Sequence, residues 1–216
     1  MTPLVYAAQI CYSSHEALLL TYELSHKAKH LPGCLVETGV AAGAQIIAMA
    51  AACPDKIVYA FDSFNGIPLP SNRDDQMPGI QMLTAWEQKA LPDPGKQALV
   101  SSGATCVPED DFWNHIYSAF GKKYGEKVNV KAVKGWFEDT VQDFKEPIAL
   151  LRLDGDLYNS TFVCLLHLFP RLIEGGILVV DDINLSGCKA ACDEYFQLIS
   201  YTPNFIYAAG VAYLIK

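Results

Sequence analysis

Acidic residues that follow two apolar runs are the strongest indication of chemistry in this 216-residue sequence. Asp154 and Asp156 end one apolar run, and Asp181 with Asp182 ends the next. If both runs are neighbouring parallel strands, the four carboxylates converge at the sheet edge where open α/β sheets bind ligands. Carboxylates this close either need a hard divalent cation such as Mg²⁺, or one of them has a raised pKa and stays protonated. Solvated caps at two strand ends are the simpler alternative.

A turn of small residues, 37–43, follows the first apolar run, and it begins with Glu37 and contains Gly39 and Gly43. Glycines let the backbone approach a ligand closely, and the N-terminus of the helix that follows is electropositive. Glu37 would repel a pyrophosphate but would tolerate a cationic or zwitterionic ligand. The turn therefore indicates a ligand of that charge, unless it is only a tight strand–helix connection.

The next apolar run ends with Asp62 and Ser63. An acidic residue at this point is well placed to accept hydrogen bonds from both hydroxyls of a ribose, although it can also cap the turn 62–66. After the third apolar run, Trp136 and Phe137 could flank a base or pack beneath a loop. The turn and the acidic residue together favour a ligand that contains a nucleoside.

The elements that must position these groups alternate between strand-length apolar runs and helical patterns, which is typical of a parallel sheet in an α/β fold. The predicted strands are 34–37, 57–61, 128–133, 148–153 and 177–180. The predicted helices are 13–30, 44–52, 109–124 and 189–200. Because the apolar runs are continuous, both faces of the sheet should be covered. Two short strands around Gly210, 205–209 and 211–215, predict a C-terminal antiparallel hairpin.

The composition predicts a single domain over residues 1–216, with an insertion or lid at about residues 67–107 that is too long for a plain connection. A net charge of −8 argues against binding to nucleic acid or to an anionic membrane surface. The sequence has no apolar run of membrane-spanning length and no basic signal region, so we expect a cytoplasmic protein. Seven cysteines without a Cys-x-x-Cys motif predict free thiols.

Five motifs together resemble the macrocin O-methyltransferase (TylF-like) family of class I methyltransferases. The motifs are 36–40, 61–68, 135–140, 151–161 and 175–182. The resemblance implies a Rossmann-like α/β fold with a mostly parallel seven-stranded sheet, a C-terminal antiparallel hairpin and helices on both faces. It also implies an enzyme that depends on S-adenosylmethionine and Mg²⁺ and methylates a hydroxyl of a small molecule, such as a sugar of a natural product. Ala41 and Ala42 depart from the Trp-Arg that is usual in the family.

The same resemblance implies a role for each candidate residue. The amino-acid end of the cofactor would be lined by Glu37, Thr38 and Gly39. The ribose hydroxyls would be held by Asp62, with Ser63 beside it, and the adenine would lie near Gly135, Trp136 and Phe137. The metal would be bound by Asp154, Asp181 and Asp182, and the general base would be Asp156.

Other hypotheses remain open from the sequence. The methyl acceptor could be a nitrogen, a phenol or a carboxylate, and the protein could bind the cofactor without catalysis. An Asp-x-Asp motif followed by Asp-Asp also resembles a haloacid-dehalogenase-like phosphatase, but Tyr158 stands where that family has Thr or Val. The expected partner is a small-molecule hydroxyl acceptor, and a homo-oligomer is compatible with the sequence.

Overall fold

The computed structural model describes residues 1–75, 99–121 and 128–216, which form one seven-stranded sheet between layers of helices. The strands are β1 (Cys34–Thr38), β2 (Val58–Asp62), β3 (Val130–Lys134), β4 (Ile148–Leu153), β5 (Leu172–Val180), β6 (Ile206–Ala208) and β7 (Val211–Ile215). Their order is β3-β2-β1-β4-β5-β7-β6; the first five are parallel, and β7 is antiparallel to β5 and β6. This topology confirms the mostly parallel sheet with a C-terminal antiparallel hairpin.

Helices cover both faces of the sheet, as the continuously apolar strands predict. The helices are α1 (Pro3–Ile10), α2 (His15–Ala28), α3 (Ala44–Ala52), α4 (Glu109–Phe120), α5 (Phe137–Thr140), α6 (Tyr158–Leu168) and α7 (Ser186–Leu198). Successive residues of one strand enter different cores: Leu35 packs with α1 to α4, whereas Val36 packs with α6 and α7. Short 3-10 helices lie at Val141–Asp143 and Phe169–Arg171.

Several elements differ from the sequence-based predictions, and three of the differences are instructive. Helix α1 was not predicted, although Thr2 caps it and Pro3 stands in its first turn. Strand β5 begins five residues before the predicted start at 177, because Gly175 and Gly176 interrupt the apolar run without ending the strand. Helix α4 ends at Phe120, before Gly121 adopts a φ of +77°.

The predicted insertion or lid, 67–107, lies partly outside the described residues, since 76–98 is not among them. Its role and the single-domain assignment of 1–216 therefore stay predictions. In the described ranges, no helix combines the length and the apolar character that crossing a membrane requires. All seven cysteines are free thiols, as predicted, and five of them are buried.

Candidate functional site

A cavity of about 250 Å³ opens at the C-terminal edge of the sheet, where the ends of neighbouring parallel strands meet. Most of the predicted site residues line it: Gly39, Asp62, Ser63, Trp136, Phe137, Asp154, Asp156, Asp181 and Asp182. The remaining three contribute differently. Glu37 lines a smaller cavity beside it, Thr38 is 1% exposed, and Gly135 donates its amide to the carbonyl of Asp62 over 2.9 Å.

The turn after β1 lies directly against the loop after β4. The amide of Asp154 donates to the carbonyl of Thr38 over 2.9 Å. Gly39 has a φ of +82°, and a Cβ atom at this position would lie 1.7 Å from the carbonyl oxygen of Asp154. No residue with a side chain fits there without moving the backbone, so Gly39 brings the two loops together.

Asp62 organises this turn as well as lining the cavity. Its Oδ2 accepts from the amides of Val40 and Ala41 over 2.7 and 3.1 Å, and its Oδ1 accepts from the amide of Phe64 over 2.7 Å. The bond from Phe64 is the cap of the turn 62–66 that the sequence analysis gave as an alternative role, whereas the bonds from Val40 and Ala41 were not predicted. A carboxylate has about four acceptor positions, so Asp62 can still accept from a ligand hydroxyl.

Arg152 is a site residue whose role the sequence analysis missed. Its guanidinium is fully buried and donates from Nη1 to Glu37 over 2.7 Å and to Asp154 over 2.5 Å. Nη2 donates to Asp181 over 2.5 Å. The sequence did contain a suitable pattern, because Arg152 interrupts an otherwise apolar strand two residues before Asp154, on the same face. Its partner Glu37 lies opposite it in the β1–β4 register.

One guanidinium does not balance the carboxylates around it. Carboxylate oxygens of Asp154, Asp181 and Asp182 lie within 4.8 Å of one another, and Asp156 donates its amide to Asp182 over 2.9 Å. Burial and the neighbouring aspartates raise the pKa of Asp182 to about 9 and that of Asp154 to about 6. Without a further cation these carboxyl groups are therefore not all ionised at neutral pH, whereas a divalent cation, which prefers hard carboxylate oxygens, would favour the ionised form of all three.

Asp156 combines an unusual backbone conformation with an unusual acidity. Its φ is +58°, in the left-handed region that few residues other than glycine adopt. Burial, with Asp154 and Asp181 nearby, raises its pKa to about 7. A carboxylate that lines a cavity and titrates near neutral pH has the properties of a general base.

A second cavity, of about 30 Å³, adjoins the large one and shares Gly39 and Ala41 with it. Its lining includes Glu37 and Gln45, which are 1% and 5% exposed. Among the described residues, Glu37 Oε2 and Gln45 Oε1 have no hydrogen-bond partner. Two buried acceptors in a space of roughly one water molecule suit a small cationic N–H donor. The sequence analysis missed Gln45, which lies in an Ala-rich helix.

Aromatic and hydroxyl side chains complete the large cavity. Trp136 and Phe137 follow β3, with Glu138, whose pKa is raised by burial. From the α1–α2 connection, Tyr12 lines the cavity and Ser13 Oγ donates to Asp181 Oδ2 over 3.4 Å. The sequence analysis did not identify Tyr12 or Ser13 as site residues, because no motif marks them, and it assigned no role to Glu138 within the motif 135–140.

The strand order and the site define a Rossmann-like methyltransferase fold. The solved structure of the O-methyltransferase NovP matches with a TM-score of 0.70 and 27% identity, covering 94% of this chain and 80% of NovP. The calicheamicin methyltransferase CalS11 matches with a TM-score of 0.63 and 22% identity, covering 92% of this chain and 78% of CalS11.

The particular family follows from the sequence. The family model for macrocin-O-methyltransferase (TylF) matches residues 23–98 and 106–206, and the chain belongs to this family. It is 32% identical over 171 residues to mycinamicin III 3''-O-methyltransferase of Micromonospora griseorubida, covering 76% of this chain and 61% of the relative. It is 32% identical over 175 residues to demethyldecarbamoylnovobiocin O-methyltransferase of Streptomyces niveus, covering 77% of this chain and 59% of the relative. The chain thus spans about three fifths of the length of these curated relatives.

Proposed function

We propose that this chain carries an S-adenosylmethionine-dependent O-methyltransferase activity toward a hydroxyl of a small molecule, such as a sugar of a natural product, and that it uses Mg²⁺ or another divalent cation. The observation that carries the proposal is the convergence of Asp154, Asp181 and Asp182 in the cavity that Asp62 also lines. A nucleoside site and an oxygen-ligand metal site beside one another suit methyl transfer to an oxygen. The names of the relatives support the same reaction class.

The charge of the site supports S-adenosylmethionine as the ligand. Its sulfonium and ammonium groups are cationic, and in the described part of the chain the carboxyl groups around the cavity outnumber the guanidinium of Arg152. The unpartnered oxygens of Glu37 and Gln45 suit the ammonium group, whose positive charge would favour the ionised form of Glu37 over the protonated form that burial favours. Asp62 would accept from the ribose hydroxyls, and Trp136 with Phe137 would flank the adenine.

Asp154, Asp181 and Asp182 would hold the divalent cation. When bound, such an ion lowers the pKa of an alcohol and orients its oxygen. Asp156 would accept the proton of the acceptor hydroxyl, because its carboxyl lines the same cavity and its pKa of about 7 allows both protonation states near neutral pH. Arg152 would keep Asp154 and Asp181 in place through its two bonds to them.

A methyl-transfer assay tests the proposal. The purified protein is incubated with S-adenosylmethionine that carries a labelled methyl group, with Mg²⁺, and with a panel of glycosides, phenols, amines and carboxylic acids. We expect label in a glycoside hydroxyl, and we expect EDTA to abolish its transfer. Transfer of the label to a nitrogen, a phenol or a carboxylate would show that the methyl acceptor is not a sugar hydroxyl. Absence of S-adenosylmethionine binding would refute the proposal as a whole. The fold and the family argue against the phosphatase hypothesis.

Replacing Asp62 by Ala should weaken both the turn after β1 and cofactor binding. Three amides lose their acceptor, and a buried unsatisfied group costs about 1–3 kcal/mol. We expect a lower free energy of unfolding in urea and a weaker affinity for S-adenosylhomocysteine in calorimetry. Asp55→Ala, at an exposed position before β2, is the control that should change neither value. Unchanged affinity in Asp62→Ala would remove Asp62 from the cofactor site.

Replacing Glu37 by Gln should reduce the pH dependence of stability. Burial raises the pKa of Glu37 to about 8, although Arg152 opposes the shift, and the ordinary value is 4.5. Between these values the unfolded chain loses this proton while the folded chain keeps it, so the free energy of unfolding falls as pH rises. Urea unfolding between about pH 5 and pH 8 should therefore show a smaller decrease in Glu37→Gln than in the wild type. Equal decreases would contradict the raised pKa.

A further inference from the structure

Three residues of the connection after β2, Arg73, Asp74 and Asp75, contact the two helices that follow β4 and β5; we name them the clip. A tight turn holds the clip in shape. Asp74 Oδ2 accepts from the amide of Ser71 over 2.8 Å and from its hydroxyl over 2.7 Å. The clip therefore connects the chain that leaves β2 to the first residues of α6 and α7.

Asp74 caps helix α6 from outside the helix. Its Oδ1 accepts from the amide of Tyr158, the first residue of α6, over 2.6 Å. The residue before it, Leu157, has no side-chain acceptor for the free amides of the first turn. Asp74 therefore supplies the side-chain acceptor for a free amide of the first turn, which in most helices comes from an N-cap Ser or Asp of the helix itself.

Asp75 caps helix α7 in the same way. Its Oδ2 accepts from the amide of Ser186 over 2.7 Å, and its Oδ1 accepts from the hydroxyl of Ser186 over 2.8 Å. Ser186 is the first residue of α7, and the preceding Leu185 again offers no side-chain acceptor. Two adjacent carboxylates thus cap two neighbouring helices.

Two further contacts connect the side chain of Arg73 to helices α6 and α7. The guanidinium carbon of Arg73 lies 3.4 Å from the ring centroid of Tyr158, and Nη2 donates to Glu194 over 2.6 Å. A Cβ atom at position 187 would lie 2.2 Å from Asp74 Oδ1, so Gly187 allows this close approach. The N-terminus of α7 therefore accommodates the clip at Gly187 and donates hydrogen bonds to it from Ser186.

From this arrangement we infer that Asp74 and Asp75 are positioning residues for the aspartates of the candidate metal site, an inference that rests on the proposed function. Tyr158 begins α6 four residues after Asp154, and Ser186 begins α7 four residues after Asp182. Each carboxylate-bearing loop is held by its strand at one end and by the clip at the other. The clip thereby sets the spacing between the two loops.

The test measures the affinity for Mn²⁺ alone and, separately, for S-adenosylhomocysteine by calorimetry. Residues that orient metal ligands typically contribute 10–100-fold to metal affinity, so we expect Asp74→Ala and Asp75→Ala to bind Mn²⁺ about tenfold more weakly. Affinity for S-adenosylhomocysteine should stay within about twofold, well under the tenfold step in Mn²⁺ affinity. Thr2→Ala, which removes the cap of α1, is the control and should leave both affinities unchanged.

Asp75→Asn separates position from charge. It removes the negative charge, its oxygen can accept from the amide of Ser186, and its NH₂ group can donate to the Ser186 hydroxyl, which is also an acceptor. Recovery of Mn²⁺ affinity in this variant supports positioning, and a loss as large as in Asp75→Ala overturns it. Amide hydrogen exchange, measured without ligand, should be faster at Tyr158 in Asp74→Ala and at Ser186 in Asp75→Ala.

Two other results would also be decisive. Variants that bind Mn²⁺ as tightly as the wild type would overturn the inference and leave the proposed function intact. A wild-type protein that binds neither Mn²⁺ nor S-adenosylhomocysteine would overturn the proposed function and the role of the clip with it. If Asp74→Ala does not fold, Asp75→Ala, which alters an exposed contact, supplies the same comparison.

Discussion

Replacing Arg152 by Met is expected to lower the free energy of unfolding by about 3–5 kcal/mol, the cost of breaking a buried ion pair from one side. The guanidinium is fully buried and shared by Glu37, Asp154 and Asp181. Met fills much of the same volume, so the loss comes chiefly from leaving the buried carboxyl groups of Glu37, Asp154 and Asp181 without their common cationic donor. Urea unfolding at neutral pH measures the change.

An exposed ion pair provides the matched control. Lys189 and Asp193 lie 2.5 Å apart on α7, and their side chains are 55% and 66% exposed. Because such pairs contribute about 0–1 kcal/mol, Lys189→Met should have a small effect. Arg152→Lys should fall between the two, since an ammonium keeps the charge but lacks the planar fork of donors. Similar effects for Arg152→Met and Lys189→Met would contradict the assigned role of Arg152.

Replacing Asp156 by Asn is expected to reduce methyl transfer by about 10²–10⁴-fold, the typical contribution of a general base. Asn cannot take the proton of the acceptor hydroxyl. It is also among the residues that tolerate the left-handed backbone conformation, so the φ of +58° should persist in the variant. The amide that donates to Asp182 is retained as well.

This variant should therefore separate chemistry from binding. Affinities for S-adenosylhomocysteine and for Mn²⁺ should stay close to those of the wild type, while single-turnover transfer to the acceptor found in the labelling assay slows. Normal turnover in Asp156→Asn would remove its role as the base. A parallel loss of cofactor affinity would instead assign Asp156 to ligand binding.

Local patterns predicted most of the fold. Strand β4 and helix α3 have the predicted bounds, because a run that is apolar except for Arg152 and an Ala-rich segment each have one dominant local preference. Where several residues weaken that preference, as Gly175 and Gly176 do in β5, the predicted boundary was wrong. The short helix α1, with Ala7 as its only buried residue, offered little periodicity to detect.

The candidate site was predictable to a similar extent. Asp62, Asp154 and Asp181 each stand at or directly after the C-terminal end of a strand, and parallel strands bring such ends to one edge. Their convergence in one cavity follows from that rule alone. Tyr12 and Gln45 could not be found in this way, because neither belongs to a strand-end motif.

The sequence by itself determined most of the segments that form strands and helices and the acidic side chains that meet at the C-terminal edge, since hydrophobic periodicity and strand polarity are local properties. Only the tertiary structure decided how the charges pair. Arg152 joins carboxylates from β1, β4 and β5, and Asp74 and Asp75 cap helices more than 80 and 110 residues away. Such contacts depend on strand order, on register and on the path of long connections, which bring together residues whose separation along the chain leaves no local pattern.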